Sequence, residues 1–251
     1  MVPTVKSELT TDSLFGGELL CLQHRDGYRF SVDAVLLAHF SVPGQGDAIL
    51  DLCAGCGVIS LIIAYKWKHL GVSICALELQ PSLVALIKQN IALNRYDGLI
   101  HCISGDLKVI DQLISPDSFD SILCNPPYTK SACGRINPHI EKALARHELA
   151  ANLQQVASAL AFAVKRFGRV TVVYPAARVG ELLDQLTANG LEPRRIQTVY
   201  PYPGGDEFRV LVEAVKDGKE DLQVLEPFFL YEKKGGKETV KFARLYASGE
   251  D

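Results

Sequence analysis

The feature that most limits what this chain can fold into is a strict alternation of strand-like and helix-like segments across residues 47–190. "DAILDLCAG" (47–55), "VSICALEL" (72–79), "LIHCISGD" (99–106), "FDSILCNPP" (119–127) and "RVTVVYPA" (169–176) are apolar runs of strand length. Helices are expected between them at 58–69, 81–94 and 141–167, and after the last strand at 177–189. Pro81 suits a first helical turn and Gly190 a helix C-cap. Strands joined through helices run parallel, and a sheet of such strands is covered on both faces. Two further strands, "RRIQTVYPY" and "EFRVLVEAV", are separated by Pro203-Gly204-Gly205. That link is too short for a parallel crossover, so an antiparallel hairpin is expected at one edge. The class is therefore α/β, with a mostly parallel sheet of about seven strands flanked by helices.

Residues 1–46 and 217–251 flank this unit. In the first, "LFGGELLCLQHRDGYRF" (14–30) reads as a hairpin turning at Gln23–Gly27, with Asp26-Gly27 as the turn signal, and "SVDAVLLAHF" (31–40) as a helix capped by Ser31. In the second, 217–224 reads as a charged connector. Residues 225–251 read as a small hairpin with a Gly-Gly turn and a short helix. Three units follow: 1–46 packing on the core, 47–216 as catalytic domain, and 217–251 as a C-terminal appendage.

Charge separates the two halves. Residues 1–124 carry 8 Lys and Arg against 13 Asp and Glu, whereas 125–251 carry 18 against 16. A polyanion is expected to meet the second half. The seven cysteines sit mostly in apolar runs, which suits reduced thiols in the cytoplasm. The first residues lack the apolar core of a signal peptide, and no run is long enough to span a bilayer, so a cytoplasmic protein without membrane contact is expected.

The chemistry-bearing residues cluster at strand ends. Gly55 and Gly57 in "ILDLCAGCGVIS" lie between a strand and a helix, where open α/β sheets bind ligands at a helix N-terminus. Ser60 replaces the third glycine of a dinucleotide fingerprint, and a tight strand-to-helix turn explains the pair equally well. Glu78 ends the next strand, where an acid accepts ribose hydroxyls. With Asp51 and Asp106 it makes three successive strands ending in acids around one glycine turn, the pattern of a nucleoside pocket. Cys53 and Cys56 form C-x-x-C without the second pair that zinc requires; no metal is expected. In "SILCNPPYTK" (121–130) a buried strand halts on Asn125, followed by Pro126, Pro127 and Tyr128. Prolines stop strands, but they require neither an amide before them nor an aromatic after.

Together these motifs resemble the class I S-adenosylmethionine-dependent methyltransferases, which have a Rossmann-like sheet. "DLCAGCG" looks like the cofactor turn, Glu78 like the ribose acid, "SGDL" like the adenine-contacting strand end, and "NPPY" like the motif that alkylates planar nitrogen. "LLCLQHRDGYRFSVDAVLLAHF" (19–40) and "ARHE" (145–148) are similar to the bacterial tRNA1(Val) adenine-37 methyltransferase group. The resemblance implies S-adenosylmethionine as cofactor, S-adenosylhomocysteine as product and a tRNA adenine as acceptor. It implies cofactor contacts from Phe30, Asp33, Asp51, Cys53, Gly55, Gly57, Glu78, Leu79, Gly105, Asp106, Leu107 and Asn125. Ser31 in that segment serves equally as a helix cap.

The reaction explains the loop. A purine amine is a weak nucleophile because its lone pair is delocalised into the ring, and acceptors that hold its two protons free the lone pair. The Asn125 side-chain carbonyl and the Pro126 backbone carbonyl are such acceptors, two prolines fix them, and Tyr128 offers a stacking face. The base must leave its stack or lie in a loop. RNA contacts are expected at Lys130, Arg135, Arg146, His147, Lys233 and Lys234, with Lys237 and Lys241 beside them; each is equally an ordinary solvated charge, and Arg146-His147-Glu148 equally a helix-start ion-pair network. A protein glutamine amide poses the same planar-nitrogen problem as an adenine, and a ribosomal-RNA or DNA adenine is a further acceptor. An NAD-type oxidoreductase would leave NPPY unexplained.

Overall fold

A computed structural model describes residues 8–27, 29–128, 151–206 and 208–248. Seven strands make the body of the main sheet: β3 (Ala48–Leu52), β4 (Ser73–Glu78), β5 (Ile100–Ser104), β6 (Phe119–Cys124), β7 (Val164–Pro175), β8 (Leu191–Tyr200) and β9 (Arg209–Lys216). Their order is β5-β4-β3-β6-β7-β9-β8. From β5 to β7 all pairings are parallel, and β9 runs antiparallel to both its neighbours. The α/β class and the antiparallel last hairpin are as expected from sequence.

Strand periodicity sets the layers. Ile49 and Leu123 project into one hydrophobic core, and Leu50, Leu52, Ile122 and Cys124 into the other. The first core takes helices α1 (Val32–Phe40), α2 (Val58–Trp67) and α3 (Pro81–Leu93); the second takes α4 (Leu153–Ala163) and α5 (Val179–Ala188). Helices α1 and α2 are apolar almost all round because each is wedged between the sheet and neighbouring elements.

Three boundaries differ from the sequence reading. The N-terminal hairpin pairs β1 (Leu9–Leu14) with β2 (Leu19–His24), so it turns at residues 15–18 and not at Gln23–Gly27. Phe15, Gly16 and Gly17 carry φ of 52°, 63° and 96° there. The cost of a left-handed phenylalanine is offset by burial and by stacking on Tyr65 with ring centroids 4.3 Å apart. Asp26-Gly27 instead bends the chain out of β2 towards α1. The long helix expected at 141–167 is α4 in its described part; it starts at an Asn152–Gln155 capping box, and Val164 already belongs to β7. Residues 141–150 lie outside the described residues. The tail also joins the main sheet: β10 (Gln223–Val224) and β11 (Phe228–Phe229) each pair parallel with β8, beyond the expected edge. A single bridge, Tyr231 to Glu238, closes the Gly235-Gly236 turn before the short helix α6 (Val240–Arg244).

The N-terminal hairpin is tied down by two asparagines four residues apart, Asn90 on α3 and Asn94 at its C-cap. Asn90 Oδ1 accepts the Leu22 N–H at 2.7 Å, while its amide donates to the carbonyls of Leu22 (3.1 Å) and Cys56 (2.9 Å). Asn94 repeats the pattern on Leu20. These amides replace a partner strand for the edge of β2. Among the described residues no helix is long and apolar enough to cross a membrane.

Candidate active site

The chain runs from β3 outward to β5, then returns to place β6 on the other side of β3. The carboxyl ends of β3 and β6 therefore diverge into a crevice, the place where open α/β sheets bind ligands. A cleft of about 580 Å³ of empty space, part of it open to solvent, occupies this position.

Eight of the expected cofactor residues line the cleft: Cys53, Gly55, Glu78, Leu79, Gly105, Asp106, Leu107 and Asn125. Glu78, 6% exposed, is held at the wall by two backbone donors, Gly55 N–H to Oε2 at 2.8 Å and Gln80 N–H to Oε1 at 2.9 Å. Donation by the glycine turn to this carboxylate fixes the turn and the acid relative to one another. Gly57 takes φ 84° at the start of α2, and a Cβ there would lie 3.2 Å from Ile87, so side chains are disfavoured on two counts. Asp106 caps the short helical turn after β5, its Oδ1 accepting the Lys108 N–H at 3.0 Å.

Four expected cofactor residues sit off the cleft wall: Phe30, Asp33, Asp51 and Gly57. Phe30 packs on the first core and its N–H donates to Gln23 Oε1. Asp51 is 1% exposed and turns under α2, where Oδ2 accepts the Ser60 N–H (3.1 Å) and hydroxyl (2.7 Å). Burial pushes its carboxyl up to about 7, against the lowering effect of the two Ser60 bonds. Ser60, which breaks the dinucleotide fingerprint, thus serves as the partner of this acid. The two cysteines of the C-x-x-C have separate neighbours. Cys56 meets Cys21, Sγ to Sγ 3.7 Å, while Cys53 hydrogen-bonds Cys124, whose thiol burial pushes well above its ordinary range.

Asn125 and Pro127 border the cleft, and Pro126 is buried behind them. Asn125 Oδ1 is a buried acceptor without a hydrogen-bond partner among the described residues. A buried unsatisfied carbonyl costs about 1–3 kcal/mol, and such a group in a cleft calls for a ligand donor. Tyr128 is the anchored end of the loop. Its hydroxyl donates to Asp33 Oδ2 at 2.8 Å and accepts from Arg209 Nη2 at 2.9 Å, and its backbone carbonyl accepts from Arg178 Nη1 at 2.6 Å. Burial, followed by the Asp33 charge, pushes the phenol up to about 12.

Sequence reasoning missed Arg209 and Arg178, and also Leu77, Gln80, Leu83 and Ala151 on the cleft wall. One signal could have found Arg209: in a strand antiparallel to the rest, the first residue lies at the sheet's carboxyl edge. Lys233 and Lys234 are exposed on the turn that follows β11, and Lys237 and Lys241 are exposed beside them; Lys241 lies 3.8 Å from Glu226. Because β11 and β8 are parallel to β7, this turn leaves the sheet at its carboxyl edge. Lys130, Arg135, Arg146 and His147 lie outside the described residues.

A family model for the methyltransferase small domain matches residues 31–159. A tRNA1(Val) (adenine(37)-N6)-methyltransferase of Shewanella amazonensis is 28% identical over 197 residues, 78% of this chain and 82% of that protein. One from Bacteroides thetaiotaomicron is 26% identical over 184 residues, 73% and 75% of the two chains. The crystal structure of a predicted O-methyltransferase from Agrobacterium tumefaciens shares the fold, with a TM-score of 0.69 at 17% identity, covering 87% of this chain and 99% of that one.

Proposed function

Since the chain belongs to the methyltransferase small domain family, we propose that it methylates the exocyclic 6-amino group of an adenine in the anticodon loop of a tRNA, using S-adenosylmethionine. The observation that carries this reading is the buried Oδ1 of Asn125 at the cleft, which has no hydrogen-bond partner among the described residues. An amine N–H is the donor it lacks. The relatives' names support adenine as the bearer of that amine, and the exposed lysines at the carboxyl edge suit RNA phosphates.

The cleft fits the cofactor. Glu78 is an acid fixed where ribose hydroxyls would donate, Leu79 and Leu107 give apolar walls for an adenine ring, and Gly55, Gly105 and Asp106 complete the wall. When bound, S-adenosylmethionine supplies an electrophilic methyl group on a sulfonium sulfur. Asn125 Oδ1 accepts one N–H of the acceptor amine and the Pro126 carbonyl accepts the other, which turns the nitrogen lone pair out of conjugation with the ring. Pro126 and Pro127 stiffen the loop so that the acceptors need no reorganisation. Tyr128 offers the base a stacking face. The amine sheds its proton after alkylation, so no strong base is assigned. In domain terms, 47–216 carries catalysis, 1–46 packs on it, and 217–251 presents Lys233 and Lys234 to RNA. The site of action is the cytoplasm, where tRNA is.

The test is transfer of tritium-labelled methyl groups to tRNA, followed by nucleoside analysis. Label is expected in N6-methyladenosine. Asn125→Ala is expected to lower transfer by about 10²–10³ without lowering the melting temperature, since it removes an unsatisfied buried carbonyl. Label found only in protein, or full activity in Asn125→Ala, would overturn the reading.

A further inference from the structure

Tyr128 is held by more partners than a stacking platform needs, and they come from remote parts of the chain. Asp33 stands in the first turn of α1, capped by Ser31, and Arg209 opens β9. Arg209 Nε donates to Asp33 Oδ2 at 2.9 Å, Arg209 Nη2 donates to the Tyr128 hydroxyl at 2.9 Å, and that hydroxyl donates to the same Asp33 Oδ2 at 2.8 Å. The three groups close a ring of hydrogen bonds in which every donor points at an acceptor. The carboxylate is 2% exposed and the guanidinium 18%, so the pair is screened little by water. The guanidinium carbon also lies 4.8 Å from the Tyr128 ring centroid, over one of its faces, and Arg209 Nη1 is fixed on the Phe208 carbonyl at 2.8 Å.

We propose that Arg209, steadied by Asp33, is a positioning residue for the acceptor base: it holds the Tyr128 ring, the proposed stacking surface, by its hydroxyl and by one face. The inference rests on the proposed adenine reaction. Its chemistry needs arginine. A lysine amine can reach the carboxylate or the hydroxyl, but it lacks the planar fork that meets both while lying along the ring. The phenol stays protonated up to about pH 12, so its donation to Asp33 is constant across working conditions. Asp33, which the family resemblance assigned to the cofactor, acts on the reaction loop in this arrangement.

The test compares Tyr128→Phe, Arg209→Lys and the double variant. Tyr128→Phe removes only the hydroxyl and leaves the Asp33–Arg209 pair in place, so it guards against simple misfolding. Three quantities are measured: the Kd for S-adenosylhomocysteine, the Kd for tRNA with that product bound, and kcat and KM for methyl transfer. Each single variant is expected to raise the tRNA Kd and KM at least tenfold while the S-adenosylhomocysteine Kd changes less than twofold. The double variant is expected to be no worse than the worse single one within twofold, because both break the same ring. Multiplying effects, an equal change in product Kd, or wild-type tRNA binding by Arg209→Lys would overturn the inference. A wild-type protein that neither binds nor methylates tRNA would instead overturn the acceptor reading, and the inference with it.

Discussion

Asp51 should make the protein less stable as the pH rises from about 4 to 7. The carboxyl is fully buried, and desolvation carries it from an ordinary 3.8 to about 7; the two Ser60 bonds oppose this, and the Glu78 charge adds to it. A group whose folded value lies above its unfolded one binds its proton more tightly in the native state. Its stabilising contribution is therefore complete below about pH 4 and is lost as pH climbs towards 7. The difference corresponds to roughly 4 kcal/mol at 1.36 kcal/mol per pH unit. Asp51→Asn removes the titration and keeps a carbonyl for both Ser60 donors. Urea denaturation followed by fluorescence of the single tryptophan, Trp67, gives unfolding free energies across pH 4–8. Wild-type stability minus that of Asp51→Asn is expected to fall by about that amount over this range and to level off above pH 8. The subtraction cancels groups of opposite behaviour, such as Asp120, which burial alone would raise but which the Lys165 and Ala48 hydrogen bonds and the Lys165 charge together hold below its ordinary value. A flat difference, or one that rises with pH, would refute burial as the dominant influence on this carboxyl.

Two further outcomes follow from the same geometry. Asn90→Ala strands the Leu22 N–H and the carbonyls of Leu22 and Cys56, so it should cost about 3–5 kcal/mol in urea unfolding; a cost below about 1 kcal/mol would mean the N-terminal hairpin docks without this amide. Glu78→Gln sets an amide donor against one of the two backbone donors at Gly55 and Gln80, and should weaken S-adenosylhomocysteine binding roughly 10–100-fold by calorimetry, as expected for a lost charge-assisted bond of about 1.5–3 kcal/mol.

What could be read in the sequence follows the range of the interactions involved. The strands β3, β4 and β6 were visible because their apolar runs feed cores on both faces, and the glycine turn and NPPY were visible because each is contiguous. Glu78 was visible as a strand-end acid, but its capture by Gly55 N–H depends on adjacent strand ends and not on spacing. The hairpin turn was misplaced because Phe15 adopts a left-handed conformation that local preference disfavours, and only its burial against Tyr65 compensates. The helix ending at Ala163 ran on in the sequence reading because "AFAVKRF" holds no breaker; pairing with β6 captures Val164 for the sheet. Strands β10 and β11 are two residues each, and it is the edge of β8 that makes them strands.

The ring of Asp33, Tyr128 and Arg209 spans 176 residues of chain, and its cause is topological. In a wholly parallel sheet, only strand ends reach the ligand edge, and strand starts lie at the far side. Strand β9 is inserted antiparallel between β7 and β8, so its first residue, Arg209, arrives at the edge where β6 releases the NPPY loop. The sheet is thereby divided by direction. Its parallel half, β5 to β6, carries the cleft, and its antiparallel half supplies the charge that holds the last residue of the loop. A reversed hairpin at this end of the sheet gives the acceptor side a fixed cation without lengthening the loop. The loop itself remains short and stiff, with two prolines between the buried side-chain carbonyl of Asn125 and the anchored hydroxyl of Tyr128.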